Sequence, residues 1–267
     1  MTPLILVEQP AAHVVQLTLN RPEQLNAMTA ELCEAAHVEL RNLAAERSCR
    51  AVILTGAGRG FCAGVDLRGY GAAPGNDSSD EPRDRLANQE HMSKLVLALR
   101  ALPQPIIAAV NGPAAGLGLA LSLGCDIRYA STAAVFRAAF INIGLSNCDM
   151  GTSWLLPRLI GVSRSHELML TGRRFDAQEA LRIGLLADVL DPDELLPRAV
   201  QAAEQIAALA PFGVRLTKRG IWSALEIASQ QAATEYEDRQ QIMATFSRGV
   251  PEAVGAFLEK RPAEFAD

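Results

Sequence analysis

A chain of 267 residues, 49% hydrophobic and 21% charged, is long enough for one large α/β domain, or for a core domain with a small appendage. Its net charge of −5 argues against a nucleic-acid surface. Cys33, Cys49, Cys62, Cys125 and Cys148 are odd in number and widely spaced, with no CxxC pair and no Cys/His ligand run, so they read as reduced thiols with no disulfide frame and no metal. Met1 leads into a strand-like segment with no basic n-region or apolar h-region, and no uncharged run has membrane-spanning length. The expectation is a soluble, cytoplasmic protein.

Residues 4–8 and 14–19 read as a hairpin, with Val15, Leu17 and Leu19 on one face. Thr29 fits the cap of a helix carrying Leu32, Ala36 and Leu40 inward. Residues 51–55 form a buried-type strand, followed by a loop punctuated by Gly56, Gly58, Gly60 and Gly64. Residues 69–85 are rich in Gly, Pro, Asp and Ser and read as a loop over the domain. A helix over 88–101 turns Met92, Leu95, Val96 and Leu99 inward, and residues 133–136 make a short strand. The alternation of strand and helix predicts right-handed βαβ units. Beyond Gly151 the pattern is mostly helical. Asp176 opens a capping box with Glu179, residues 187–190 make a last strand, and Pro192 starts a helix with Leu196, Val200, Ala203 and Ala207 inward. Further helices fit 211–225, 230–246 and 251–260. With no sheet of their own to cover, these are expected to pack across subunits.

The stretch from Ile106 to Ala130 organises the rest. An apolar strand, 106–110, breaks at Asn111-Gly112-Pro113, and Gly116 and Gly118 lead into an apolar helix. A helix start of this kind leaves backbone N–H groups unpaired and favours negative charge. No Lys or Arg lies between Pro113 and Asp126, so an anion held here is held by backbone.

Four pieces, in this order and spacing, resemble the crotonase (enoyl-CoA hydratase/isomerase) superfamily. They are Asn20-Arg21-Pro22 with Leu25-Asn26-Ala27-Met28; residues 58–67, GRGFCAGVDL; Ala108 to Gly112 with the glycines that follow; and residues 156–161, LPRLIG. Residues 256–261, AFLEKR, look like that family's last helix. The resemblance implies an α/β fold of repeated ββα units, with a core over 1–200 and a helical region over 201–267 that packs on the core or a neighbouring subunit. It implies homotrimers or hexamers, an acyl-CoA thioester substrate, and no cofactor beyond the CoA moiety. It also implies an oxyanion hole from the backbone N–H groups of Val65 and Leu117, in which a thioester enolate is stabilised. Gln24, Ala27, Ala63, Asp66 and Leu67 are implied along the CoA, with Phe257 and Lys260 arriving from the last helix.

At the chemical centre the chain departs from a hydratase. The two glutamates that the family uses to add water correspond to Ala120 and Phe140, which move no protons. Asp149, eight residues before Pro157, resembles the aspartate of dienoyl-CoA isomerases, ring-forming phenylacetate-pathway isomerases and dehalogenases of the family, although its spacing from Gly144 is one residue longer than that pattern. Asp149 also suits the cap of a helix starting near Gly151. One carboxylate fits double-bond isomerisation. Alternatives are hydration by an acid from residues 69–85, hydrolysis or C–C cleavage through Asp149, and a non-catalytic acyl-CoA binder. Glu90 and His91 read as a solvated helix turn, and His13, His37 and His166 as surface or helix residues. Ser146 and Asn147 are candidates to orient substrate or water, Cys148 has no His partner nearby, Asp126 reads as structural, and Arg137 and Arg158 as members of ion pairs.

Overall fold

The computed structural model describes residues 2–69 and 81–265. A hairpin of β1 (Ile5–Ala11) and β2 (Val14–Leu19) opens the chain. Helix α1 (Ala30–Ala45) follows, with Thr29 Oγ1 accepting from Leu32 N–H at 3.3 Å. Next come β3 (Ala51–Gly56), α2 (Pro82–Ala101), β4 (Ile106–Val110), β5 (Ala114–Ala115), α3 (Leu117–Gly124), β6 (Ile127–Ser131) and β7 (Val135–Arg137). The second half holds α4 (Thr152–Ile160), α5 (Val162–Thr171), β8 (Arg174–Asp176), α6 (Ala177–Arg182) and β9 (Asp188–Leu190). It ends with α7 (Pro192–Ala207), α8 (Pro211–Ala224), α9 (Gln230–Thr245) and α10 (Gly249–Glu259).

The main sheet has the order β1-β2-β3-β4-β6-β9, antiparallel at the hairpin and parallel elsewhere. A small sheet of β5-β7-β8 stands beside it. Both faces of the main sheet are covered, which explains its continuous apolar runs. Val52, Leu54, Ile106, Ala108 and Val110 face a large core shared with α1, α2 and α3. Their neighbours Ala51, Ile53, Ile107 and Ala109 face a second core closed by Leu195, Ala199, Ala202, Ala203 and Ala207 of α7.

Several expectations change. α2 begins at Pro82, six residues before the expected start, because proline at the first helical position is compatible with a helix. Of the expected loop over 69–85, residues 70–80 lie outside the described residues. β5, β6 and β8 are additional strands. α7 does cover a sheet and runs unbroken across residue 200; Ala203 and Ala207 are buried and Val200 packs against the second core as expected, but Leu195, Ala199 and Ala202 are also buried and Leu196 is exposed. Arg137 and Arg158 form no ion pairs among the described residues. Arg137 Nε donates to Gly172 O at 2.6 Å, and Arg158 stacks 3.9 Å from the centre of the Trp154 ring. Asp126 is structural as expected: it pairs with buried Lys218 at 2.8 Å and accepts from Ile106 N–H and Trp222 Nε1. Among the described residues, no helix is long and apolar enough to cross a membrane.

Candidate active site

Two loops and a helix start are knitted into one unit. Ala63 N–H donates to Leu25 O at 2.9 Å, Met28 N–H to Gly64 O at 2.7 Å, and Asp66 N–H to Met28 O at 2.8 Å. The last two bonds use both backbone groups of Met28, so the N–H of Val65 points to the opposite side of the strand. On that side Cys62 N–H meets Pro113 O and Ala115 N–H meets Cys62 O, both at 3.0 Å. The turn that carries Leu117 is therefore on the side Val65 faces. Leu117 is the first residue of α3, and the Ala120 N–H to Gly116 O bond at 3.0 Å lies behind it, so its own N–H belongs to the unpaired first turn. Gly64 and Gly116, one residue before each of these amides, have φ of +108° and +51°, a region open mainly to glycine.

The same unit gathers Gln24, Ala27, Ala63, Asp66 and Leu67. Arg21 bonds Ala27 O and pairs with Asp66 at 3.1 Å, and Arg68 pairs with Asp66 at 3.2 Å. Hydrogen bonds from Arg68, then Arg21, hold the Asp66 carboxyl down at about 2. Asp66 is thus spent on shaping the loop, while Leu67 is 57% exposed. Phe257 and Lys260 sit elsewhere, at the end of α10, which packs on α8, and Phe257 is 81% exposed.

Asp149 lies just ahead of α4, and α3 packs between α2 and α4. Its Oδ1 accepts from Gln89 Nε2 of α2 at 2.5 Å and from Met150 N–H at 2.7 Å. The cap of α4 is Gly151, with no side-chain hydrogen bond, so the Asp149 carboxylate is not that cap. Burial raises its pKa above the ordinary carboxylate value, against the two donors that lower it. Asn147 does not face substrate as the sequence suggested. It is buried, donating to Ala138 O and Met169 O and accepting from Ile141 N–H, and so anchors the loop that presents Asp149. Ala120 is buried in α3, and Phe140 brings its ring edge against Gly116, 3.4 Å from where a Cβ would stand. Beyond the Gln89–Asp149 contact a cleft of about 710 Å³ opens, with Val96, Leu97, Met150, Trp154, Leu155 and Ile227 on its apolar wall and the charged Arg100, Arg158 and Glu226 also lining it.

The family model for enoyl-CoA hydratase/isomerase matches residues 9–267. The chain belongs to the enoyl-CoA hydratase/isomerase family. This crotonase-superfamily member is 43% identical over 99% of its length to a probable enoyl-CoA hydratase of Mycobacterium bovis, covering 93% of that protein. It is 38% identical to the 1,2-epoxyphenylacetyl-CoA isomerase of Escherichia coli, over 94% of each chain. The crystal structure of a probable enoyl-CoA hydratase/isomerase from Mycobacterium abscessus superposes with a TM-score of 0.91 at 42% identity, over 98% of each chain. The crotonase fold and the enzymatic character of the family follow, and family membership implies an acyl-CoA substrate.

Gln89 is the residue of this candidate site that the sequence reading, which weighed its neighbours Glu90 and His91, did not single out. Glu90 pairs with Lys94 at 3.5 Å on the outer face of α2, as a solvated helix turn would place it. A usable signal was present, since Gln89, Met92, Ser93 and Val96 share one helical face.

Proposed function

We propose that this enzyme isomerises the double bond of an enoyl-CoA through a thioester enolate, with Asp149 as the proton carrier. The observation that carries this reading is the half-buried Asp149 carboxylate, steadied by Gln89 and Met150 N–H, in a site whose other two candidate positions hold Ala120 and Phe140. Asp149 takes a proton from C2 of a 3-enoyl thioester. The C2–H electron pair forms a C1=C2 bond and the carbonyl π pair moves on to the thioester oxygen, giving a dienolate conjugated with the C3=C4 double bond. The Val65 and Leu117 amides receive that oxygen, each worth on the order of 3 kcal/mol in the transition state. Asp149 then returns the proton at C4 and the double bond comes to rest between C2 and C3. A raised pKa makes the carboxylate a better base. Water addition would need a second acid–base group, which Ala120 and Phe140 do not supply. The cleft beyond Gln89 suits the apolar end of the acyl chain.

Gln24, Ala27, Ala63, Asp66 and Leu67 form the CoA-facing rim in this reading, Asp66 by holding the loop. Phe257 and Lys260 reach CoA from the α10 of a neighbouring copy in a homotrimer or hexamer. The test is mass spectrometry of acyl-CoAs incubated with the protein in D2O. Deuterium uptake with a shifted double bond, lost in Asp149→Asn, is the expected result. Hydrolysis of the thioester lost in the same variant would favour the hydrolase reading. Binding without exchange for any thioester would leave only an acyl-CoA binder.

A further inference from the structure

The sequence shows no Cys/His ligand run, but the fold assembles one. Cys33 and His37 are four residues apart on α1, and α2 packs beside them and delivers His91. One donor atom from each lies within 4.8 Å of the other two. Cys33 and His37 are buried, so of the two readings of His37, surface or helix, the helix holds. The two imidazole rings are 4.7 Å apart and tilted by 40°. His37 Nε2 lies 3.0 Å from His91 O. A carbonyl only accepts, so this nitrogen carries the hydrogen and Nδ1 holds the lone pair. Metal-binding imidazoles are commonly oriented by such a bond. His91 Nε2 is buried with no hydrogen-bond partner among the described residues, and Glu34 Oε2 stands 3.4 Å from it. None of these four side chains has a part in the proposed isomerisation.

We propose that Cys33, His37 and His91 form a binding site for a zinc-class divalent cation, with Glu34 or a water as the fourth ligand, clamping α1 to α2. One thiolate with two imidazoles is a donor set for borderline-soft ions and a poor one for magnesium or calcium. Bonds of roughly 2.0–2.3 Å in a tetrahedron put the donors about 3.3–3.8 Å apart. The three atoms, now within 4.8 Å of one another, therefore close in by up to about 1.5 Å on binding, and His91, with its side chain 29% exposed, has room to move. Binding replaces the Cys33 S–H bond with a sulfur–metal bond and releases one proton to the buffer. His91 is two residues past Gln89, so the clamp would fix the turn of α2 that carries Gln89.

The test titrates Zn2+ and Co2+ into the full-length protein carrying Cys148→Ser, which removes the exposed thiol. One ion per chain is expected, with a thiolate-to-cobalt charge-transfer absorption and a rise in Tm of roughly 5 °C at a hundred times Kd. His91→Gln, at the partly exposed edge, weakens binding at least tenfold, and Cys33→Ser abolishes the charge-transfer absorption. Should Cys33→Ser fail to fold, His91→Gln decides the matter. Absence of binding, of the thiolate absorption, or of any effect of His91→Gln overturns the site.

Discussion

Both donors to Asp149 converge on Oδ1, and no described residue bonds Oδ2. Oδ2 is thus the oxygen free to move a proton. Asp149→Asn should lower α-proton exchange by about 10²–10⁴-fold, the usual contribution of a positioned acid–base group. The same variant should melt no lower than the parent at neutral pH. A carboxyl whose folded pKa is raised stabilises the fold fully below its unfolded pKa, and that contribution is lost as pH rises through the folded value. Asparagine stays neutral, so its advantage over aspartate should appear above the folded pKa and vanish in acid; thermal melts across pH would show it. Gln89→Leu removes a donor that favours the ionised form. The acid limb of the exchange-versus-pH curve should then move to higher pH, with Gln89→Asn restoring part of the shift. An unmoved limb would mean that Gln89 does not act on Asp149.

At the scale of elements, the start of α3 must press against the 62–65 strand if the two amides are to converge. A Cβ on Gly118 would stand 1.9 Å from Cys62 O and 2.8 Å from its carbonyl carbon, so Gly118→Ala must push the helix away. The expected cost is roughly 1–3 kcal/mol of stability, measured by denaturant melts, with a loss of exchange larger than unfolding accounts for. This neighbourhood was legible because it is local. Strand, glycine turn and helix lie within Ile106–Gly124, and a buried strand announces itself by its apolar run. β8 was not legible, since three residues with one buried side chain, Phe175, carry no periodicity. Leu195, Ala199 and Ala202 were missed on the buried face of α7, although Ala203 and Ala207 were read correctly, because small alanine side chains mark a buried face weakly. Gln89–Asp149 and Cys33–His37–His91 were out of reach for a different reason: each joins groups more than 50 positions apart, and a single sequence has no signal for such a meeting.

For the whole molecule, the question is what covers the C-terminal helices. α7 is consumed by the second core, but α9 has no buried residue among those described and α10 only Ala256. Phe246, Phe257 and Leu258 are 82%, 81% and 74% exposed, and Ile221 and Ile242 about as open as one another at 62% and 60%. Helices gain most of their stability by packing an apolar face, and isolated ones are marginal. The proposed trimer or hexamer would supply that packing and would bring Phe257 and Lys260 to a neighbour's CoA rim. Sedimentation velocity of the wild-type chain should therefore show no monomer at micromolar concentration. Phe246→Glu with Leu258→Glu should release monomers, because a buried unpaired carboxylate is costly. Those monomers would keep the Val65, Leu117 and Asp149 constellation, which is built within one chain, yet bind CoA thioesters more weakly for want of the neighbour's α10. Monomers with undiminished affinity would place the whole CoA site in a single chain and remove Phe257 and Lys260 from it.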